Sequence, residues 1–306
     1  MAKLLAAGLA LLGVVACGGA SNQAASLLRQ TFTGNHRITS GNLGFSLTVT
    51  PSGTSALKGP LTLSLGGPFQ SLGPGRLPQS NFTLSLATSG GTISVAVLST
   101  GSKGYVTFEG ESYQLPQATF QRLESSFAEL GSSSGSRTGS GVLARLGIQP
   151  EHWLVNPQVV GDEAFAGTNT AHVHAEINVP ALLSDLNTFL RHAASVGAAG
   201  AANLPGGIPA STRGRIASTI HNAGVDVWTG TADRTLRRLD LRLNLDLTGQ
   251  AAALLGSSAA LGLTIRYTDL NQPQSIVAPT TLRPYGEFQA KLRVLLADLQ
   301  SGLGGG

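Results

Sequence analysis

His172, His174 and Glu176 lie two residues apart along one predicted strand, and all three are of types that bind metals. Because they alternate with apolar residues, their side chains share one face of that strand. Two histidines with a carboxylate are typical of zinc sites, but ligands at this spacing need a further partner from elsewhere, and the sequence indicates none. Two interpretations stay open: a solvated strand face, which the pattern favours, and a metal-dependent hydrolase.

Two further patterns are associated with hydrolysis. Residues 131–135 (GSSSG) match G-x-S-x-G, but a nucleophile elbow follows a strand, and this segment follows a predicted helix in a Gly/Ser-rich loop. The carboxylates of Asp240, Asp246, Glu109 and Glu111 lie on predicted solvated strand faces or at turns, as ordinary strand residues do. We therefore predict that the protein is not an enzyme and uses no metal or dissociable cofactor.

The single cysteine lies where bacterial lipoproteins are acylated. After a positively charged start, residues 4–16 are apolar throughout, a run too short to span a bilayer but typical of a signal peptide. Residues 14–17 (VVAC) resemble the bacterial lipobox. We expect cleavage before Cys17 and a covalent diacylglycerol on its sulfur, whose two acyl chains would anchor the protein stably to a membrane. The alternative is an ordinary secretory leader.

The composition excludes several classes of protein. Charged residues make up 12% of the 306 residues, about half the usual share, and the net charge is only +4. Scattered basic residues do not form the clusters that contact phosphates, so we expect no nucleic-acid partner. One cysteine excludes an intramolecular disulfide.

Apolar and polar residues alternate with the period of a strand in the N-terminal half. Turns rich in Gly, Pro and Ser separate the runs, which indicates an antiparallel meander with one buried face. The predicted strands there are 43–49, 61–65, 82–86, 93–97 and 105–108.

The C-terminal half mixes helical and strand periodicity. Helical spacing predicts helices near 116–131, 150–154, 180–190, 209–223 and 288–299. Strand periodicity predicts strands near 159–167, 170–179, 225–228, 236–247 and 261–267.

This order of strands, helices, strands and a final helix favours an α+β fold. A sheet of this size curls, and its apolar face needs a cover, so we predict a strongly curved antiparallel sheet with helices covering the concave face. The predicted organisation is a signal peptide (1–16), a tether (17–29), a single lipoprotein domain (30–301) and a disordered tail (302–306).

The C-terminal half also resembles the LppX/LprAFG family of actinobacterial lipoproteins, over roughly residues 159–280. The motifs that carry the resemblance are VGDE (160–163), the strand through His172 and His174, VPALLSDL (179–186), VDVWTG (225–230), RRL (237–239), YTD (267–269) and AP (278–279). The Gly/Ser loop 131–141 and the Ala/Gly linker 193–207 depart from the family pattern.

The resemblance implies a half-barrel related to the LolA/LolB fold, with a hydrophobic cavity between sheet and helices. It also implies an acyl lipid or glycolipid as ligand, a place on the outer face of the cell membrane, and an envelope transporter as a candidate partner. The residues expected to line the cavity are Phe45, Leu47, Phe82, Leu84, Val95, Phe127, Leu186, Leu190, Leu241, Leu243 and Leu245. The alternative is a scaffold or interaction lipoprotein with a filled core.

Overall fold

The structure is a computed structural model that describes residues 18–34, 36–73, 76–132, 148–195 and 207–304. Within these ranges eleven strands form one antiparallel sheet, which is not closed. The strands are β1 (Ser40–Ser52), β2 (Leu61–Gln70), β3 (Gln79–Thr88), β4 (Gly91–Ser99), β5 (Gly104–Phe108), β6 (Glu111–Gln114), β7 (Leu154–Phe165), β8 (Thr168–Ile177), β9 (Ile220–Gly230), β10 (Leu236–Asp246) and β11 (Ser258–Thr268).

The described residues also form seven helices. They are α1 (Gly18–Thr33), α2 (Gln117–Ser132), α3 (Pro150–Trp153), α4 (Val179–Ser195), α5 (Ala210–Thr219), α6 (Gly249–Leu255) and α7 (Tyr285–Gly304). Among these helices, none combines the length and hydropathy that crossing a bilayer requires.

The strands follow the order β6-β5-β4-β3-β2-β1-β11-β10-β9-β8-β7. The chain enters the sheet in its middle at β1, meanders to one edge at β6, resumes at the other edge with β7 and meanders back. The last strand, β11, pairs with the first, so two separate meanders are joined along one seam. The predicted curved antiparallel sheet of an α+β protein is confirmed.

Cross-strand register collects the apolar residues on one face. Residues directly opposite one another in an antiparallel pair point to the same side of the sheet. One continuous apolar row crosses ten strands through Val159, Val173, Val227, Leu239, Ile265, Phe45, Leu65, Leu84, Val95 and Phe108. The sheet therefore has an apolar face that runs nearly from edge to edge.

Helices pack on this apolar face at two places. The first cluster joins β7–β10 to side chains of α1, α3 and α4, with Val173, Val225 and Val227 fully buried at its centre. The second cluster packs Phe288 of α7 against Val106, Phe108 and Tyr113 of β5 and β6. The first cluster lies toward the β7 edge of the sheet, and the second lies toward the β6 edge.

The predicted tether over residues 17–29 is wrong for its described part, because residues 18–29 belong to α1. The buried side chains Ala24, Leu27, Leu28 and Phe32 follow helical spacing and pack in the first cluster. The hydroxyls of Thr31 and Thr229 also share a buried hydrogen bond of 2.8 Å. The folded domain therefore begins before residue 30.

Two other boundaries differ from the predictions. Helix α7 continues to Gly304, so residues 302–304 of the predicted disordered tail are helical, and residues 305–306 lie outside the described ranges. Helix α5 ends at Thr219, and residues 220–223 begin β9 because Ile220 pairs with Leu245.

Candidate functional site

The apolar face of β1, β2 and β3 lies between the two helix-covered clusters, and we call it the apolar trough. Phe45, Leu65 and their neighbours on these strands are only half-buried, and none of them belongs to either cluster. At the β3–β4 border Leu84 is 46% exposed and Val97 is 42% exposed. A contiguous exposed apolar surface of this kind is typical of a ligand or interaction site rather than of an ordinary solvated face.

Four of the residues predicted to line a cavity, Phe45, Leu47, Phe82 and Leu84, lie on the apolar face of β1 and β3. Val95 lies at the border and packs against the second cluster. These five residues come together because β1, β2, β3 and β4 are consecutive neighbours in the sheet. Their role as a lipid-contacting surface stays a prediction.

The remaining predicted residues lie elsewhere. Leu241 and Leu243 are buried in the first cluster, so they belong to the packed core and are not accessible to a ligand. Leu245 packs against the same cluster. On α4, Leu186 is exposed and Leu190 is half-buried. The side chain of Phe127 lies outside the described part of the structure.

The prediction missed residues of β2 and β3 that complete the trough. Leu63 and Leu65 lie opposite Leu47 and Phe45, and Leu86 lies opposite Leu63. They alternate with Thr, Ser and Gly, which is the same pattern that predicts Phe45 and Leu47 as lining residues. Only the pairing of β1 with β2 and of β2 with β3 shows that they belong to one surface.

The opposite face of the sheet is polar, and His172 and His174 join a partly buried hydrogen-bond network on it. His172 stacks on Trp228 with ring centroids 4.3 Å apart, and its side chain is only 16% exposed. Its two ring nitrogens lie 3.0 Å from the Glu163 carboxylate and 2.9 Å from the Asp226 carboxylate. The expectation of a solvated strand face is therefore wrong at His172.

Asp226 receives hydrogen bonds from both histidines. His172 Nε2 lies 2.9 Å and His174 Nδ1 lies 3.0 Å from the same carboxylate oxygen. Burial raises the pKa of Asp226, but these two hydrogen bonds and the nearby imidazoles outweigh it, so the pKa lies below its usual value. Through Glu163, His172 and Asp226 the network ties β7, β8 and β9 together.

Asp240 continues this network on β10 and was expected on a solvated face, yet it is 3% exposed. Its carboxylate pairs with Arg238 and accepts a hydrogen bond of 2.9 Å from the Thr264 hydroxyl of β11. Arg238 in turn covers the Trp228 ring at 4.6 Å. A buried charge needs partners of this kind, so the contacts of Asp240 are those of a residue that stabilises the fold.

The geometry does not assemble a metal site from these residues. Within the described ranges no group of three His, Cys, Asp or Glu side chains is arranged to hold a metal ion. Glu176 accepts a hydrogen bond of 2.8 Å from Asn156 instead of joining the two histidines. The histidine nitrogens that contact Asp226 and Glu163 are engaged within the protein.

The other predicted carboxylates form ordinary ion pairs. Glu109 and Glu111 lie 2.9 and 3.0 Å from the Lys291 ammonium, which ties α7 to the β5–β6 turn. Hydrogen bonds from Lys291 and Tyr113 lower the pKa of Glu111. Asp246 pairs with His221 at 3.0 Å beside an open cleft of about 560 Å³. Residues 133–147, with most of the G-x-S-x-G match, and Cys17 lie outside the described ranges.

Solved structures with a related fold include the lipoproteins predicted from the motifs. LprF from Mycobacterium bovis matches at 14% identity and a TM-score of 0.40, covering 86% of this chain and 99% of that one. LppX from Mycobacterium tuberculosis matches at 13% identity and a TM-score of 0.37, covering 84% and 99%. A LolA superfamily protein from Nitrosomonas europaea matches at 8% identity and a TM-score of 0.19, covering 82% and 94%.

No family model matches the chain, and no curated protein matches it. LprF and LppX, whose family the motifs resemble, are among the structural neighbours of this chain, at low identity.

Proposed function

We propose that this chain is an exported lipoprotein, acylated at Cys17, that binds the acyl chains of a lipid or glycolipid in the apolar trough. It acts at the outer face of the cell membrane and without catalysis. The covalent diacylglycerol is its only prosthetic group. An envelope transporter is a candidate partner that would deliver or receive the lipid.

The observation that carries this proposal is the uneven cover of the apolar face. The row through Phe45, Leu65 and Leu84 continues on both sides into packed clusters, but its central members stay half-exposed among the described residues. Covering such side chains yields about 25 cal/mol for each Å² removed from water. An extended acyl chain lying across β1–β3 would bury this surface without requiring any polar contact.

The proposal is tested by replacing one trough residue with a charge. Leu84→Lys should weaken binding of a fluorescent fatty acid or phospholipid by roughly ten- to a hundredfold, since burying one leucine contributes about 1.5–3 kcal/mol. Because Leu84 is 46% exposed, the lysine ammonium can reach water and the fold should persist. Titration by fluorescence and native mass spectrometry of co-purified lipid measure the effect.

Thr83→Lys is the matched control, because Thr83 neighbours Leu84 on the same strand, is exposed and points to the opposite face. We expect it to bind lipid as the unmodified protein does. Equal binding by both variants, or a protein that neither carries nor takes up lipid, would overturn the proposal and favour a scaffold lipoprotein with a filled core.

A further inference from the structure

We propose that one particular end of the sheet, formed by helix α6 and the loop 53–60, docks on the membrane surface. We call this end the Ser52 end, since β1 finishes there, and we call the two segments together the tip. The inference rests on the proposed function, because it takes the acyl anchor at Cys17 as given. It adds which surface meets the bilayer.

The direction of α1 points the anchor toward the Ser52 end. Near its C-terminus, Thr31 bonds to Thr229, which lies beside the β9–β10 hairpin at the opposite end of the sheet. Nearer its N-terminus, Ala24 packs in the same cluster as Trp153, and α1 contacts helix α3, which precedes β7 at the Ser52 end. The helix therefore runs from the Ser52 end to the other, and Gly18, next to Cys17, lies at its start.

The short length of α1 keeps the anchor close to this end. Cys17 lies seven positions before the fully buried Ala24, and at a rise of about 1.5 Å per residue a helix covers seven positions in about 10 Å. A lipid on Cys17 would hold the Ser52 end against the headgroups and leave the opposite end facing away. The anchor therefore acts as an orienting contact as well as an attachment.

The tip has the surface chemistry of a membrane contact. Helix α6 has the sequence GQAAALL, without charge, and exposes Ala251, Ala253 and Leu254, the last at 48%. The loop 53–60 adds Leu57 and exposed Lys58. An apolar surface next to a cation suits a bilayer, since leucine enters the boundary region while lysine reaches lipid phosphates. Neither tip segment contains an acidic residue.

The tip is held in a defined conformation. The backbone N–H groups of Ala56 and Leu57 donate to the carbonyl oxygens of Ala253 and Leu254, each at 3.1 Å, so the loop satisfies the last carbonyls of α6. Gly256, with φ +86°, follows the helix, and a Cβ there would lie 2.0 Å from the Ser52 carbonyl oxygen. The exposed leucine is thus presented on an ordered element beside the seam of β1 and β11 and at the end of the apolar trough.

Site-specific labelling of the acylated full-length protein tests the orientation. Cys17 is the only cysteine in the sequence, and its acylated sulfur does not react with a maleimide, so Leu254→Cys takes one polarity-sensitive fluorophore. Ser102→Cys is the matched control, because Ser102 is exposed in the β4–β5 loop at the opposite end. Both proteins are reconstituted on vesicles of phosphatidylglycerol and phosphatidylcholine that carry a lipid-attached nitroxide quencher.

We expect the label at position 254 to shift to shorter wavelength and be quenched at least twofold more than the label at 102. Quenching that is equal at both positions, or stronger at 102, on vesicle-bound protein would overturn the orientation. A wavelength shift at 254 that depends on protein concentration without vesicles would assign the tip to a second copy and also overturn it. Protein that stays in the supernatant would instead contradict the anchor, and lipid uptake is measured separately with the same samples.

A second variant tests whether the contact matters for exchange with the bilayer. Leu254→Ser leaves the trough untouched, so binding of a fluorescent fatty acid in solution should be unchanged. The rate of lipid transfer from vesicles should fall at least threefold. An unchanged transfer rate would contradict a docking role for the tip, and lost binding in solution would show that its role is structural.

Discussion

At the scale of single residues, the polar face depends on a few carboxylates with more than one partner. Asp226 accepts from His172 and His174, and Asp240 is held by Arg238 and Thr264. Removing Asp226 leaves His172, whose side chain is only 16% exposed, with an unmet hydrogen bond, which costs more than the net value of the bond itself. These residues therefore contribute to the stability of the β7–β11 half of the sheet.

We predict that Asp226→Asn lowers the free energy of unfolding at pH 7 by about 1–3 kcal/mol, because the histidine ring N–H groups lose a charged acceptor. Asp162→Asn, at an exposed position on β7, two strands away from β9 in the sheet, is the control and should change stability by about 0.5 kcal/mol or less. Urea denaturation followed by far-ultraviolet circular dichroism measures both. Equal stability of the two variants would contradict a stabilising role for the network.

The same carboxylate predicts a dependence on pH. The pKa of Asp226 lies below its usual 3.8, so its stabilising contribution is complete above that value and is lost as the pH falls through the lowered pKa. The difference in unfolding free energy between the unmodified protein and Asp226→Asn should therefore shrink in acid, below a pH of about 4. A difference that stays constant between pH 7 and pH 3 would contradict this prediction.

At the scale of elements, helix α1 packs as part of the hydrophobic core and does not only connect segments. Its buried residues Leu27, Leu28 and Phe32 cover the apolar face of β7–β9. A helix of this length is marginal in isolation, so its stability comes from this packing. Its position links the segment that follows Cys17 to the hydrophobic core.

We predict that Leu28→Ala lowers the free energy of unfolding by about 2–5 kcal/mol, as other large-to-small core changes do. Arg29→Ala, at the adjacent exposed position, should have little effect. Thermal and urea unfolding of both variants, each made without residues 1–16, measure the difference. A flexible tether would leave both variants as stable as the unmodified chain.

The close approach of α6 to β1 gives a second element-scale prediction. Gly256→Ala combines a left-handed φ with a Cβ 2.0 Å from the Ser52 carbonyl oxygen, so it should destabilise the protein by about 1–3 kcal/mol. Gly262→Ala, in the following strand where a Cβ meets nothing within 4 Å, is the control. Its effect should be close to zero or slightly stabilising. Hydrogen exchange of the α6 amides would localise the change.

At the scale of the whole molecule, the two halves of the sheet differ in how they are covered. The β7–β11 half is packed by α1, α3 and α4, while β1–β3 remain half-buried between this packing and α7. A rigid packed half beside an open apolar surface is an arrangement in which a ligand can bind without unfolding the domain. The anchor would then restrict where the ligand is taken up.

We predict that Cys17→Ala moves the protein from the membrane fraction to the soluble fraction of cells, because no acyl chain can be attached. Its fold and its binding of fluorescent lipid should remain, since Cys17 precedes Ala24, the first buried residue among those whose burial the structure describes. Fractionation with immunoblotting and a lipid titration of the soluble protein measure these effects. Membrane retention of Cys17→Ala would contradict acylation as the anchor.

Much of the fold was predictable from local periodicity. Because strand side chains alternate with period 2, the runs around Phe45, Leu84 and Leu241 show which residues share a face before any pairing is known. Local periodicity does not predict α1, because its helical pattern of Ala24, Leu27 and Leu28 is short and closely follows the predicted signal peptide. It also failed for His172, since its burial depends on Trp228 and Glu163 from other strands.

The sequence by itself determined the lipobox-like pattern before Cys17, the strand faces and the scatter of the basic residues along the chain, because these are properties of neighbouring residues. Only the tertiary structure decided that Phe45 lies beside Ile265, that Leu241 is covered while Leu84 is open, and that α6 and the start of α1 lie at the same end of the sheet. These relations depend on contacts between residues up to about two hundred positions apart, and local patterns carry no information about which distant strands pair.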